Sequence, residues 1–186
     1  MTEAWLLTST FYGNWLPGDK RGFVGRVWEK REGDSAADRR HVHDVPGTPY
    51  DEYIVGLREA SEELMRGPPL LVNLEQAEAL LAQFHETATI RKWQLLAVAI
   101  IANHVHLVVL ADEGTDPTKI LGDFKAYGSR VLNRRWGKPA SDTWWTSKGS
   151  KRRLPGDEAL RAAIRYVINQ EHRLVVWCHP DYQEYP

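Results

Sequence analysis

The chain has 186 residues, of which 42% are hydrophobic and 26% charged, and its formal net charge is −1. This near-neutral balance excludes a uniformly basic nucleic-acid-binding protein, and the single cysteine, Cys178, excludes an internal disulfide and suits a reducing compartment. The longest apolar run is too short to cross a bilayer, and the first residues lack the basic and apolar regions of a secretion signal. We therefore predict one soluble, cytoplasmic domain over residues 1–186.

The first half of the chain contains one strand, a long connection and a long helix. Residues 3–13, EAWLLTSTFYG, combine β-branched and aromatic residues and predict the strand. Residues 14–72 form a long connection or insertion, opened by a turn in WLPGDKRG and carrying a short polar helix over 51–66. Asn73 is expected to cap a helix over 74–92, because apolar residues recur there with helical spacing.

The second half alternates strands and helices. We predict two strands over 93–101 and 104–110, followed by a helix over 116–136 that begins at Asp116 and Pro117. A strand or hairpin over 143–154, a helix over 157–173 and a short tail that includes LVVW complete the chain. The order β-α-β-β-α-β followed by a helix predicts a ferredoxin-like (RRM-like) α+β sandwich with an antiparallel sheet.

Charge is distributed unevenly along the chain. Residues 119–153 contain ten Lys or Arg against two Asp, whereas residues 29–64 contain ten Asp or Glu against five Lys or Arg. This asymmetry is typical of a protein with one face for an anionic partner. A solvated helix face would give the same pattern, so charge alone leaves both interpretations open.

Two histidines stand one residue apart within the apolar run IIANHVHLVVL. Because side chains alternate along a strand, His104 and His106 point to one face and Val105 points to the other. Two imidazoles in this arrangement are able to bind one metal ion, although satisfied polar groups at a strand end would show the same spacing. His41 and His43 repeat the spacing among charged and turn residues, where we predict a loop and no site.

The last predicted helix carries two polar side chains beside its apolar stripe. Tyr166 and Gln170 are i, i+4 neighbours on one flank of that stripe. A tyrosine hydroxyl beside a metal-held phosphate is a potential nucleophile, because the cation favours the phenolate, and the Gln170 carbonyl oxygen would be a third ligand. Taken alone, the pattern favours an amphipathic helix whose tyrosine packs at the edge of the core.

Tyr127 is a competing nucleophile, since it also lies on a predicted helix in basic surroundings. Phe124 and Val131 place it on the apolar stripe of that helix, and no ligand-type side chain follows four residues later. We therefore predict that Tyr127 packs or contacts a nucleic acid, with Lys125 and Arg130 at phosphates.

Five segments together carry a resemblance to a known family: FYGNWLPGDKRG (11–22), NHVHLVV (103–109), FKAYGSRVLNRRW (124–136), WWTSKGSKR (144–152) and IRYVINQ (164–170). Their order and spacing resemble the single-tyrosine HUH transposases, and among these the REP-associated tyrosine transposases. The resemblance implies a ferredoxin-like nuclease core that acts on single-stranded DNA, usually next to a hairpin. It also implies that His104, His106 and Gln170 bind a metal and that Tyr166 is the nucleophile.

The implied reaction is a transesterification that leaves a 5′-phosphotyrosine and a free 3′-hydroxyl and needs no nucleotide cofactor. Imidazoles favour softer ions than Mg²⁺, but the amide and phosphate oxygens would make the site acceptable to Mg²⁺ or Mn²⁺. Gln170 departs from REP-associated members, which often have Asn there, and matches insertion-sequence transposases. The resemblance therefore leaves monomer or homodimer undecided, because compact insertion-sequence relatives are dimers and REP-associated ones are thought to act alone.

The remaining basic and aromatic residues are expected to bind the single strand. Cations would follow the phosphates and tryptophans would stack on bases; these residues are Lys125, Arg130, Arg134, Arg135, Trp144, Trp145, Lys148, Lys151, Arg152 and Arg153. One of the two adjacent tryptophans is expected in the core, since neighbouring strand residues face opposite sides. Two alternatives to a DNA-nicking enzyme are a domesticated protein that binds hairpin DNA without cutting, and a metal- or RNA-binding ferredoxin-like domain.

Overall fold

A five-stranded antiparallel sheet forms the centre of the protein. The structure, a computed structural model, describes residues 1–16, 28–29, 41–42 and 55–183. Its strands are β1 (Thr2–Thr10), β2 (Trp28–Glu29), β3 (His41–Val42), β4 (Gln94–Ile101), β5 (His104–Asp112), β6 (Ser150–Leu154) and β7 (Arg173–Cys178). Its helices are α1 (Val55–Glu63), α2 (Leu74–Arg91), α3 (Pro117–Trp136) and α4 (Gly156–Ile168), with a 3-10 turn at Pro180–Tyr182.

The strand order in the sheet is β6-β1-β5-β4-β7, and every neighbouring pair is antiparallel. β1 and β5 are therefore central strands, and their register places Thr8 opposite His106 and Thr10 opposite His104. On its other side, β1 places Thr8 opposite Ser150. The predicted ferredoxin-like α+β class is confirmed, with β7 as an additional edge strand.

The helices cover both faces of the sheet. Val105, Leu107 and Val109 of β5 lie in one apolar cluster with residues of α2 and α3. Val108 lies in a second cluster with Leu160, Ile164 and Val167 of α4. Because side chains alternate along β5, His104 and His106 share the α4 side of the sheet with Val108.

The predicted starts of α2 and α3 are confirmed by their caps. The Asn73 side chain accepts a hydrogen bond from the Gln76 backbone N–H, while the Gln76 side chain accepts one from the Asn73 N–H, which completes a capping box. The Asp116 side chain accepts from the Thr118 N–H, and Pro117 occupies the first turn of α3. Each cap satisfies backbone donors that the helix itself leaves unpaired.

Several predicted boundaries were wrong. α4 ends at Ile168 rather than at residue 173, and the tail that contains LVVW pairs with β4 as β7. The strand predicted over 143–154 is reduced to β6, although Trp145 forms an isolated bridge with Phe11.

The His41 pair also differs from its predicted loop. His41 belongs to the short strand β3, which pairs with β2, and His43 lies outside the described residues. Most of the predicted connection over 14–72 lies outside them as well. No helix in the described part of the chain is long and apolar enough to cross a membrane.

Candidate active site

The two histidines of β5 form a compact pair on the α4 side of the sheet. Their ring centroids are 4.8 Å apart and the ring planes are nearly perpendicular. His106 is 3% exposed, whereas His104, at the start of the strand, is half-buried. The pair therefore lies at the end of a central strand, with one ring inside the protein and the other near its surface.

Each histidine has a partner at its Nδ1 atom. His104 Nδ1 lies 2.6 Å from Asn103 Oδ1, and His106 Nδ1 lies 2.7 Å from Thr8 Oγ1. When Nδ1–H donates to these oxygens, the lone pair of Nε2 is left to bind a metal. Partners of this kind usually fix the tautomer and the orientation of metal-binding imidazoles.

Burial favours the neutral form of His106. Desolvation, and after it the proximity of His104, lowers the pKa of His106 to about 3. Its imidazole is therefore uncharged at neutral pH, which is the form that binds metals.

Tyr166 faces the histidine pair from α4. Its ring centroid lies 5.3 Å from that of His106, and the side chain is 51% exposed. The neighbouring Val167, together with Ile164, is buried against the sheet, so the packing of the helix fixes the position of the tyrosine at the margin of the core. The phenol is thus close to the imidazoles and also accessible from outside.

Gln170 lies just beyond the end of α4, not on the helix as its spacing predicted. Its Nε2 donates a hydrogen bond of 3.0 Å to the backbone oxygen of Tyr166. The side chain therefore folds back on the last turn of the helix, which keeps it beside Tyr166 as the i, i+4 spacing required.

Three side chains near α4 and β5 are candidate metal ligands. Among the described residues there is no group of three or more His, Cys, Asp or Glu suited to a metal ion. A site here would consist of the imidazoles of His104 and His106 and the amide oxygen of Gln170, with further ligands from a substrate. The hydrogen-bonded Nδ1 atoms and the neutral His106 fit such a site.

Tyr127 has different surroundings. It lies on α3, whose buried residues pack on the opposite side of the sheet from the histidines. The Arg130 guanidinium carbon is 4.7 Å from its ring centroid, and Arg91 Nη2 donates to its hydroxyl at 3.4 Å. This tyrosine is paired with arginines and not with the candidate ligands.

The expectation that the adjacent tryptophans stack on bases is not met. Trp144 is 6% exposed and Trp145 4% exposed, and both belong to the main apolar core. Trp145 stacks on Phe11 with ring centroids 4.5 Å apart, and its Nε1 donates to the backbone oxygen of Lys125. Both are core residues because they lie in an irregular segment rather than on an alternating strand.

Lys125 and Arg153, which are among the predicted phosphate-binding cations, have polar partners within the protein. Lys125 donates to the backbone oxygens of Thr146 and Lys148 and is half-buried. Desolvation, and after it the charge of Lys151, lowers the pKa of Lys125 to about 8. Arg153 forms a salt bridge of 2.6 Å with Glu3.

The other predicted cations are exposed: Arg130, Arg134, Arg135, Lys148, Lys151 and Arg152. By strand alternation Arg152 shares a face of the sheet with Leu154, which lies in the α4 cluster, and therefore with the histidine pair. Of the β6 cations, Arg152 is thus the one on the same side as Tyr166.

Three residues near the histidines were not identified from the sequence as parts of a site. Thr8 and Asn103 hold the Nδ1 atoms, and Trp15 packs on His104 with ring centroids 4.9 Å apart. The alternation of β1 could have placed Thr8 on a defined face, but only the register with β5 brings it to His106. No local pattern indicates the contact of Trp15.

Comparison with known proteins assigns the chain to a family. A structure of a REP-associated tyrosine transposase bound to a REP hairpin aligns with a TM-score of 0.47 and 9% identity, over 89% of this chain and 64% of that chain. A candidate transposase from Deinococcus radiodurans R1 aligns with a TM-score of 0.47 and 16% identity, over 92% of each chain. No curated protein sequence matches. The family model described as "Transposase IS200 like" matches residues 70–170, which include both histidines, Tyr166 and Gln170, and the chain therefore belongs to the IS200-like transposase family.

Proposed function

We propose that this transposase nicks single-stranded DNA next to a hairpin and transfers the cut strand, with Tyr166 as the nucleophile. The observation that carries the proposal is the 5.3 Å separation between the rings of Tyr166 and His106, on one face of the sheet. A half-exposed phenol beside two imidazoles is an arrangement suited to nucleophilic attack on a phosphate. Tyr127 lacks this arrangement, since its neighbours are arginines.

The proposed step is a transesterification. The Tyr166 hydroxyl oxygen attacks the phosphorus of a DNA phosphodiester, and the bond between that phosphorus and the 3′-oxygen breaks. The phenolic proton is lost, and the departing 3′-oxygen gains a proton to become a hydroxyl. The DNA then carries a 5′-phosphotyrosine, and attack by a 3′-hydroxyl reverses the step without ATP because the number of phosphoester bonds is unchanged.

His104, His106 and Gln170 would hold a divalent cation, Mg²⁺ or Mn²⁺, beside Tyr166. When bound, this ion would offset phosphate charge and favour the phenolate. Thr8 and Asn103 would keep the Nε2 atoms of the two imidazoles directed to it. Gln170 would add oxygen, which hard cations prefer.

The exposed cations would bind the DNA strand. Arg152 lies on the Tyr166 side of β6, whereas Arg134 and Arg135 are exposed at the end of α3, which packs on the opposite side of the sheet. These side chains would neutralise phosphates, a contribution that depends on salt and not on base sequence. The whole chain would form one domain.

A covalent-adduct assay tests this function. We would incubate the protein with single-stranded DNA from both flanks of its own gene, with Mn²⁺ or with EDTA, and separate the products under denaturing conditions. Tyr166→Phe removes the proposed nucleophile, and Tyr127→Phe is its matched control. We expect a Mn²⁺-dependent adduct that is lost only in Tyr166→Phe.

Other outcomes would change the proposal in defined ways. An adduct lost only in Tyr127→Phe would keep the enzyme class and move the nucleophile to α3. Hairpin binding without any adduct, unchanged by metal and by Tyr166→Phe, would instead favour a protein that binds hairpin DNA without cutting. Chromatography of the protein with and without the hairpin would distinguish a monomer from a homodimer.

A further inference from the structure

Trp15 packs directly on one of the two candidate metal ligands. Its ring centroid lies 4.9 Å from that of His104, with 40° between the planes. We infer that Trp15 is a positioning residue that fixes the ring of His104 for metal binding, an inference that rests on the metal site of the proposed function. Trp15 belongs to a turn after β1, far from His104 in sequence, so the contact is created only by the fold.

The turn that carries Trp15 is tied to the start of β5. Phe11 donates its backbone N–H to the Asn103 oxygen at 2.9 Å, next to His104. Asn14 Nδ2 donates to three backbone oxygens, those of Phe11, Tyr12 and Leu70, the last at 2.7 Å. One amide side chain therefore closes the turn and fastens it to a neighbouring segment.

That neighbouring segment packs tightly against the turn. Tyr12 accepts a hydrogen bond of 2.7 Å from the Arg66 backbone N–H through its hydroxyl, and its backbone oxygen accepts one from the Leu70 N–H. A Cβ atom at Gly13, where φ is +74°, would lie 2.8 Å from Pro69 Cα. These contacts hold the backbone of the turn in place and so fix the orientation of the Trp15 side chain.

The backbone of Trp15 is in a conformation that bulky L-residues rarely adopt. Its φ is +54°, in the left-handed region. A residue of this kind persists there only when its surroundings hold it, and such residues concentrate at functional sites. The bonds of Asn14 and the packing of Gly13 provide that support, and the result is an indole directed at His104.

His104 is therefore held on two sides. Asn103 Oδ1 engages Nδ1 at 2.6 Å, and the indole of Trp15 packs against the ring. The hydrogen bond sets which nitrogen carries the proton, while the indole restricts rotation of the half-buried ring. His106 does not need such support, because it is buried and bonded to Thr8.

Metal affinity measured without DNA tests this inference. We would titrate the metal-free full chain with Mn²⁺, follow the free ion by electron paramagnetic resonance, and compare Trp15→Ala with the wild type. Loss of a supporting residue typically weakens metal binding by about 10- to 100-fold, and we expect the lower end of that range for Trp15→Ala. Trp15→Phe, which keeps an aromatic ring, should recover most of the affinity, and Trp136→Ala, which removes an exposed tryptophan of α3, should change nothing.

A second variant and a second readout separate positioning from folding. Trp15→Gly removes the indole but adopts a left-handed backbone without strain, so it is expected to fold and still to bind Mn²⁺ weakly. In imidazole NMR spectra of the metal-free protein, both Trp15→Ala and Trp15→Gly should shift the His104 ring signals more than those of His106. Wild-type Mn²⁺ affinity in these variants, or a wild-type protein that binds no Mn²⁺, would overturn the inference. If the wild type binds Mn²⁺ in a Trp15-dependent way but forms no DNA adduct, the proposed cleavage fails and the positioning role stands.

Discussion

At the scale of single residues, a substitution of Thr8 tests how His106, the buried candidate metal ligand, is held. Its hydroxyl lies 2.7 Å from His106 Nδ1. Thr8→Val keeps the shape of the side chain but removes this partner, so we expect Mn²⁺ affinity to fall by about 10- to 100-fold. Thr8→Ser retains the hydroxyl and is the control; isothermal titration calorimetry of the three proteins makes the comparison. Equal affinities for Thr8→Val and the wild type would show that the hydroxyl does not support the ligand.

Lys125 links the stability of the protein to pH. Its pKa falls from 10.5 to about 8 in the folded chain, chiefly through burial. Between these values the unfolded chain binds the proton and the folded chain does not, so the free energy of unfolding should rise with pH, by up to about 3 kcal/mol. Urea denaturation between pH 7.5 and pH 10.5 would show this rise, and Lys125→Met should reduce its slope. Parallel pH profiles for the two proteins would contradict the lowered pKa.

Strand alternation predicted that His104 and His106 face one side, and helix spacing predicted that Tyr166 and Gln170 share one flank of a helix. Only the family resemblance joined the two pairs into one site. The adjacency of Trp144 and Trp145 predicted only one of them in the core, whereas both are buried. Their burial depends on residues distant in sequence, such as Phe11, which stacks on Trp145. Trp15 was missed for the same reason. The sequence therefore indicates which side chains are candidates for a site, whereas the contacts that support them are visible only in the structure.

At the scale of elements, the pairing of β1 with β6 depends on Gly149. A Cβ atom there would overlap the backbone oxygen of Thr8 and lie 2.7 Å from Leu121 Cδ2. The backbone of a central strand cannot move away easily, so Gly149→Ala should destabilise the protein by about 1–3 kcal/mol. A displaced Thr8 would also support His106 less well, so Mn²⁺ binding should weaken. Chemical denaturation and metal titration of the same sample measure both effects.

Gly122→Ala is the matched control for this substitution. Gly122 lies inside α3 with open space around the added methyl group, so alanine should stabilise the protein by up to about 1 kcal/mol. If the two variants had the same stability, the close approach at Gly149 would not matter.

The starts of α2 and α3 were predicted well because capping residues act locally. The end of α4 was not predicted, because residue types that favour a helix continue past Ile168 in the sequence. The chain nevertheless leaves the helix there and pairs with β4 as β7. Sheet pairing thus overrides local propensity at this boundary.

At the scale of the whole molecule, the uneven charge predicts salt-dependent DNA binding. Arg134 and Arg135 are exposed at the end of α3. Replacing both by alanine should reduce the slope of log K against log salt by about 0.7 for each phosphate that the protein no longer neutralises. Fluorescence anisotropy with a labelled single strand at several salt concentrations measures the slope. Lys119→Ala, at the other end of α3, should leave it unchanged, and an equal effect of both changes would argue against a defined DNA path.

The order of elements was enough to predict the ferredoxin-like layout, since one short hairpin between β4 and β5 and the helical crossovers on either side of it restrict the possible topologies. The place of β7 at the sheet edge was not predictable in the same way. A short apolar tail is able to pair with either edge, and the choice depends on which edge the rest of the fold leaves open.

The register of β1 against β5 has a consequence for how the protein assembles. The bond between Thr8 and His106 joins residues 98 positions apart in the chain. A contact of such long range forms only after the entropy of closing that loop has been overcome, and proteins rich in such contacts fold slowly. His104 and His106 are only two positions apart in the chain, but the bond that orients His106 comes from the N-terminal strand. A divalent cation should therefore bind the native state far more tightly than the unfolded chain, and raise the melting temperature by mass action.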